Sequence, residues 1–470
     1  MSLTPEQIDR LVDEVVARVR NETAIARAPA FVRGPGRGMH DDLDRAVACA
    51  QRAFEAWRET RLEVRARCIA AIRSACLARV EEIARFAAEE TGLGRAADKV
   101  VKNRVAIEKT PGMEILEPLV FTGDHGLTLH ERAAFGVLLA ITPSTNPTET
   151  VINNALSMIA AGNAVVFNVH PAAKGCCAMV IGLIAEALRA NGGPEDLVSG
   201  IAEPTIESAQ ALMRHRGIQV VVVTGGGAVV KEAMSCGKRA ICAGPGNPPV
   251  VVDETADLQQ AGRDVVFGAS MDNNIICVVE KELFAVRSIA DGLKAEMLRN
   301  GAVPVDAAGL SRLEKTVLDG RGHVNRDFIG KDARKIADAA SIRTTGDPRL
   351  LLCEVDAQHP FVQLEMLMPV LPMVRVADFA EALRGSVEAE HGYFHTAVIH
   401  SKNIDRLHDM ARAVNTSLFV KNGPSTAGLG VDGEGYTAWT IAGSSGDGLT
   451  TARTFTRERR CTLKDKLRIV

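Results

Sequence analysis

The stretch "MDNNIICVVE", residues 271–280, runs from three polar residues through Ile275 and Ile276 into Cys277. A thiol held at the end of a loop can add to an electrophilic carbonyl once it ionises. Cysteine is also a common small buried hydrophobe, and the stretch by itself does not separate the two roles. Three further segments carry residues suited to ligand binding: "TPSTNPTE", "HPAAKG" and "TGGGAVV". Glycines 225–227 allow close backbone approach, and a helix starting there would offer N–H groups to a phosphate. The run is not G-x-G-x-x-G, so alone it reads equally well as a turn. The ten cysteines show no C-x-x-C pair and no zinc-type cluster, so no metal site is expected and free thiols in a reducing compartment are.

These segments all follow strand-like runs. "GVLLAIT", "NAVVFNV" and "IQVVVVTG" read as strands, and "PTETVINNALSMIAAG", "KGCCAMVIGLIAEALRANG" and "GGAVVKEAMSCG" as the helices after them. Strands alternating with helices of this length predict an α/β fold with an open, doubly wound parallel sheet. Ligands in such sheets bind at the carboxyl ends of the strands, where the three segments lie. Ahead of the series, residues 41–111 read as helices and "LEPLVFTGDHGLTLHERAAFG" as a hairpin. After "CAGPGNPPVVVDETADL" the alternation resumes to about residue 430, predicting a second α/β unit.

Bulk properties exclude several classes. Hydrophobic residues make up 46% and charged residues 24%, which is ordinary for a globular enzyme with a large core. A net charge of -3 without a basic stripe argues against nucleic acid or an anionic membrane as partner. No apolar run stands out as a membrane span, and no secretion signal is expected at the N-terminus.

The first 20 residues carry Ile8, Leu11, Val12, Val15, Val16 and Val19 at helical spacing, with Thr4 as N-cap and Pro5 in the first turn. Residues 21–40 are rich in Gly, Pro and Arg and read as a flexible linker. A tethered apolar stripe favours docking on a partner over packing on its own domain.

Several ordered motifs share a family pattern: "EETGLG", "ITPSTNPTET", "VVTGGGAVVKEA", "SCGKRAICAGPGN", "DNNIIC", "QLEMLMPVLP" and "HTAVIHS". From about residue 41 onward the chain resembles the aldehyde dehydrogenase superfamily, and within it the CoA-acylating members associated with bacterial microcompartments. That resemblance implies a Rossmann-type dinucleotide-binding domain (41–111 and 132–242), a catalytic domain (243–440) and oligomerisation elements (112–131 and 441–470) in a dimer or tetramer. It makes Cys277 the nucleophile and Asn146 the oxyanion donor. Glu365 matches the contact to the nicotinamide ribose, and Thr142, Pro143, His170, Pro171, Thr224, Gly225 and Gly226 match positions around NAD. Ile275 and Ile276 would line an apolar substrate pocket. The implied reaction is oxidation of a short-chain aldehyde, propionaldehyde preferred, to acyl-CoA with reduction of NAD+.

Hydrolytic members carry a water-activating glutamate where this chain has Ala243-Gly244, and a thiol acceptor needs less help from a base than water does. The alternatives are a hydrolytic dehydrogenase giving free acid and a non-catalytic shell-binding protein. The family's adenosine-ribose glutamate is also missing, since the run here is His170-Pro171-Ala172-Ala173. NAD over NADP therefore rests on the resemblance. The N-terminal helix resembles encapsulation peptides, implying a shell-protein partner and a cytoplasmic location inside a microcompartment.

Overall fold

In the computed structural model the described residues are 38–470. The expected helix over residues 1–20 lies outside them. Strand β1 (Met39–His40) leads into helices Leu43–Glu59, Leu62–Ala78, Val80–Thr91 and Ala96–Lys109. The hairpin β2 (Leu119–Gly123) and β3 (Gly126–Ala134) follows, and then β4 (Val137–Ile141), β5 (Ala164–Asn168), β6 (Val198–Ile201), β7 (Val220–Thr224) and β8 (Arg239–Ala243). The helices between them are Pro147–Ala160, Lys174–Ala190, Ile206–Arg214 and Gly227–Met234.

These strands form one parallel sheet in the order β1-β6-β5-β4-β7-β8. β4 and β5 are buried at every position, which is why both read as unbroken apolar runs. The chain winds from β4 through β5 to β6 on one side, then crosses to β7 and β8 on the other. This reversal opens a crevice at the carboxyl ends of β4, β5 and β7. The loops that leave those ends carry Thr142-Pro143, His170-Pro171 and Thr224-Gly225-Gly226.

A second parallel sheet holds β9 (Pro249–Val252), β10 (Glu282–Val286), β11 (Ala302–Val305), β12 (Leu350–Glu354), β13 (Val370–Val376), β14 (Thr396–His400) and β15 (Leu418–Lys421). Their order is β11-β12-β13-β10-β9-β14-β15. Val250, Val252, Leu283, Leu371 and Val398 pack one face against Val265, Leu293 and Met297 from helices Leu258–Ser270 and Arg287–Arg299. A two-stranded ribbon, β16 (Ile441–Ala442) and β17 (Gly448–Leu449), packs beside β8. The last strand, β18 (Thr456–Lys464), pairs antiparallel along β3, so hairpin and C-terminus make one three-stranded sheet.

Several boundaries differ from the sequence expectations. Met39–His40, expected as linker, is an edge strand that pairs with Gly200 and Ile201. The hairpin extends to Ala134, and of residues 441–470 only 456–464 join its sheet. Pro171–Ala190 is long and apolar enough to cross a membrane by length and composition, contrary to the expectation that no such run exists. Half of that segment is buried within the fold, packed on β6 and helix Leu62–Ala78, as a core helix would be.

Candidate active site

The polar run ahead of Cys277 has a backbone cause. Asp272, Asn273 and Asn274 all adopt positive φ, at 49°, 54° and 63°. Asp and Asn tolerate this left-handed region better than other residues with a Cβ, because their short polar side chains satisfy nearby backbone groups. Here they do so. Asn273 Nδ2 donates to Gly330 O at 2.9 Å, and Asn274 Nδ2 donates to Ala269 O and Glu280 O at 2.7 and 2.9 Å. Asp272 Oδ1 accepts from Arg95 N at 2.7 Å. Buried Lys281 closes the loop from the far side, donating to Asn274 O and Oδ1 at 2.7 Å and to Ile276 O at 3.2 Å. The turn aims Cys277 into a cavity while Ile276 stays in the core.

Asn146 stands at the N-terminus of helix Pro147–Ala160, whose 14 residues are all buried. Pro147 suits the first helical position because it lacks an N–H that would go unbonded there. Buried polar bonds fix this helix: Asn153 Nδ2 donates to Thr110 Oγ1, Trp439 N donates to Asn153 Oδ1, and Thr440 Oγ1 donates to Asn154 Oδ1. Lys102 Nζ donates to Asn146 Oδ1 at 2.7 Å. With its oxygen engaged, the carboxamide leaves Nδ2 as the donor of a residue that lines the cavity with Cys277.

That cavity has a volume of about 670 Å³ and spans the crevice of the first sheet and the Cys277 loop of the second. It brings together Thr142, Pro143, Asn146, His170, Pro171, Thr224, Gly225, Gly226, Ile275, Cys277 and Glu365. Ile276 is the one residue expected at the site that does not line it. The same wall carries Gly244 and Pro245, so no carboxylate stands at the position where hydrolytic relatives were expected to place theirs.

The residues at the crevice fit a nicotinamide dinucleotide. Gly226 caps helix Gly227–Met234 without a side-chain bond, and a Cβ at Gly226 or Gly227 would meet open space. A phosphate can therefore approach the helix N-terminus. Thr142 Oγ1 is buried without a partner and lines the cavity, a free donor or acceptor for a ligand. Neither Ala172 nor Ala173 lines it.

Electrostatics around the thiol oppose one another. Burial, and then the Glu365 carboxylate, push the Cys277 thiol up to about 12, while Lys281 and Lys102 pull it down. Burial also raises Glu365, against the pull of Lys281 and of its bond from Gly246 N. Burial lowers Lys281 to about 8, against the carboxylates around it. The sequence reading missed a further group, His395. Burial and Lys281 bring this imidazole down to about 4 and hold it neutral. Its Nδ1 bonds Thr396 Oγ1 at 2.9 Å and its Nε2 is buried with no partner. Gly246 lies between this ring and the Cys277 backbone: a Cβ there would lie 2.7 Å from Cys277 O and 3.0 Å from His395 Cγ. The "HTAVIHS" motif contained this residue, but only the fold sets β14 beside the Cys277 loop. Lys102 and Lys281 were missed as well, since isolated lysines in a helix or beside a strand carry no sequence signal.

Comparison with known proteins agrees with this geometry. Residues 31–303 match the model of the aldehyde dehydrogenase family. An acetaldehyde dehydrogenase (acetylating) of Salmonella typhimurium is 48% identical over the whole of both chains. The crystal structure of Rhodopseudomonas palustris propionaldehyde dehydrogenase, with bound CoA and an acylated cysteine, has a TM-score of 0.90 at 45% identity, covering 91% of this chain and 98% of that one. A propionaldehyde dehydrogenase from the Clostridium phytofermentans fucose utilisation bacterial microcompartment has a TM-score of 0.91 at 41% identity, covering 92% and 100%. Fold and full-length similarity agree, and the chain belongs to the aldehyde dehydrogenase family.

Proposed function

We propose that this protein oxidises a short-chain aldehyde to its acyl-CoA with reduction of NAD+, propionaldehyde being the preferred substrate. The observation that carries the reading is one cavity in which Cys277 meets Asn146 and a phosphate-ready helix N-terminus, with Gly244, of the Ala243-Gly244 pair that stands in place of a water-activating carboxylate, in its wall. The acylated cysteine and bound CoA of the Rhodopseudomonas palustris enzyme support it.

Cys277 is the nucleophile and rests as the thiol. As its sulfur adds to the aldehyde carbon, the thiol proton passes to the free Nε2 of His395, with Nδ1 donating to Thr396. In the resting site a thiol near 12 does not give its proton to an imidazole near 4. Transfer is therefore coupled to C–S bond formation, when the charge arrives on the carbonyl oxygen instead of the sulfur. Asn146 Nδ2 and the Cys277 N–H receive that oxyanion. The bound dinucleotide supplies the hydride acceptor as the thiohemiacetal collapses. Glu365 orients the ribose, and Thr142, Pro143, His170, Pro171, Thr224, Gly225 and Gly226 seat the rest of the cofactor. CoA then enters as its thiol, attacks the acyl-cysteine and leaves as the thioester; its thiol proton passes to the departing Cys277 sulfur, and His395 gives the proton it took to water, the H+ released with NADH.

Ile275 bounds the acyl site with an apolar side chain. Because one methylene changes discrimination by only about 1–3 kcal/mol, acetaldehyde competes with propionaldehyde. A reader of the 2′-hydroxyl at Ala172-Ala173 is lacking, so the choice of NAD+ over NADP+ rests on the family resemblance. The exposed Leu119, Val120 and Phe121 of β2 support subunit joining through the three-stranded sheet. The microcompartment origin of the Clostridium phytofermentans relative supports location inside such a compartment, with residues 1–20 docking on a shell protein. Removing residues 1–20 is expected to release the enzyme from the shell fraction with kcat unchanged. Loss of activity would show that the segment serves the fold.

The deciding assay follows NADH from propionaldehyde with and without CoA, together with the product. Sustained turnover only with CoA, giving propionyl-CoA, is expected. Equal turnover without CoA and accumulation of propionate would make the enzyme hydrolytic.

A further inference from the structure

Four ionisable side chains are fully buried behind the cavity: Lys99, Lys102, Glu149 and Asp272. Two ammonium groups face two carboxylates. Lys99 Nζ lies 3.0 Å from Asp272 Oδ2, and Lys102 Nζ lies 2.6 Å from the same oxygen. Lys102 Nζ also lies 3.2 Å from Glu149 Oε1 and 2.7 Å from Asn146 Oδ1. The contact to Asn146 is a hydrogen bond, and those to Asp272 and Glu149 are ion pairs. The face of the Trp439 ring, 5.7 Å from Nζ to its centroid, closes the remaining side.

Burying four charges is expensive, and an apolar core of the same volume is often as stable or more so. Such a cluster calls for a reason other than stability. The acceptors of Lys102 supply one, because they come from the two arms of the site. Asn146 and Glu149 belong to the start of helix Pro147–Ala160, beyond the end of β4. Asp272 belongs to the left-handed run that aims Cys277. Lys99 also reaches both arms, at Thr145 O and Asp272, but among the described lysines and arginines only Lys102 bonds the Asn146 side chain.

We propose that Lys102 is a positioning residue, a cationic strut that fixes the Asn146 carboxamide and the Cys277 loop in one geometry and supplies the charge behind the developing oxyanion. This rests on the assignment of Asn146 and Cys277 under the proposed function. The strut acts in two ways. By occupying Asn146 Oδ1 it selects the amide orientation that leaves Nδ2 as the donor, and it polarises that N–H. By sitting behind the amide it places a full positive charge close enough to favour negative charge at the Cys277 site. Burial works against the charge on Lys102, and Asp272 and Glu149 outweigh that, so the ammonium stays protonated through the cycle. Lys99 is the companion that balances Asp272: it donates to that carboxylate and to Thr145 O and makes no bond to Asn146.

The test uses four variants: Lys102→Met, Lys102→Met with Asp272→Asn, Asn146→Ala, and Lys102→Met with Asn146→Ala. The Asp272→Asn change restores charge balance in the cluster, which Lys102→Met alone leaves with one ammonium against two carboxylates. For Lys102→Met, kcat for NADH formation is expected to fall about a hundredfold, as for loss of one oxyanion donor, with KM for the aldehyde within about threefold. The same fall is expected with Asp272→Asn present and an unchanged melting temperature. Combined with Asn146→Ala, Lys102→Met should cost much less than it does alone, because its hold on the amide is already lost and only its charge at the sulfur remains. Full additivity in the double variant, or wild-type kcat in Lys102→Met with Asp272→Asn, would overturn the proposal.

A second readout does not depend on turnover. Iodoacetamide alkylation of Cys277 in the Lys102→Met variant should have a pH midpoint shifted upward from wild type. An unshifted profile would show that the ammonium exerts no field at the sulfur. If wild type forms no acyl-CoA from any short aldehyde, the functional reading fails, while the alkylation profile still decides whether Lys102 acts on Cys277.

Discussion

Replacing Glu365 by Gln should make Cys277 more reactive to alkylation and the enzyme slower at its own reaction. After burial, the Glu365 carboxylate is the largest cause that raises the thiol, which stands at about 12. At pH 8 a thiol at that value is ionised to about one part in ten thousand. Gln keeps the shape of the side chain and removes the like charge. If the thiol falls by about one unit, thiolate rises about tenfold, and the lower nucleophilicity of a less basic thiolate returns about threefold of that. Net alkylation by iodoacetamide should then be about threefold faster. The ratio of variant to wild type should grow with pH, because Glu365 is itself raised and repels the thiolate only when ionised. Turnover should fall, since Gln contributes no negative acceptor for the ribose hydroxyls. The assay is peptide-resolved alkylation of Cys277, which separates it from exposed Cys461, run beside NADH kinetics from pH 6 to 9. Alkylation that slows, or does not change at any pH, would refute the account of the thiol's environment.

Two further substitutions test the packing behind the site. Gly246→Ala puts a Cβ 2.7 Å from Cys277 O and 3.0 Å from His395 Cγ. It should cost about 1–3 kcal/mol of stability in denaturant melts and lower kcat about tenfold or more by displacing Cys277 and His395 together. Glu280 accepts from Ser425 N and Oγ, both at 2.7 Å, yet burial raises it to about 7. A carboxyl raised in the folded state costs nothing below its unfolded value and destabilises increasingly as pH rises through its folded value. Thermal melts of Glu280→Gln should therefore gain on wild type between about pH 4.5 and 7 and level off above. The gain is bounded at about 3 kcal/mol and reduced by the loss of one Ser425 bond. A difference that narrows as pH rises would contradict the sign.

Much of the first sheet was legible because its strands are buried on both faces. "VLLAI" and "AVVFN" read as strands only because nothing on them faces water. The short β6 and helix Ile206–Arg214 gave no such signal: four residues, "VSGI", are too few for a period. Cys277 itself remained ambiguous until other motifs accompanied it, whereas the meaning of Asp272-Asn273-Asn274 was present in residue type and went unread. Three left-handed residues in a row need Asn, Asp or Gly.

The sequence by itself determined the alternation of strands and helices, the three loops at strand ends, and the missing glutamate at Ala243-Gly244, because each is a local pattern of residue types. Tertiary structure alone decided that His395 stands behind Gly246, that Ile276 turns away while Ile275 faces the cavity, and that Lys102 spans from Asn146 to Asp272. Those are contacts between residues as many as 170 positions apart. A distance of 2.6 Å between two buried charges exists only after both sheets have closed the space around them.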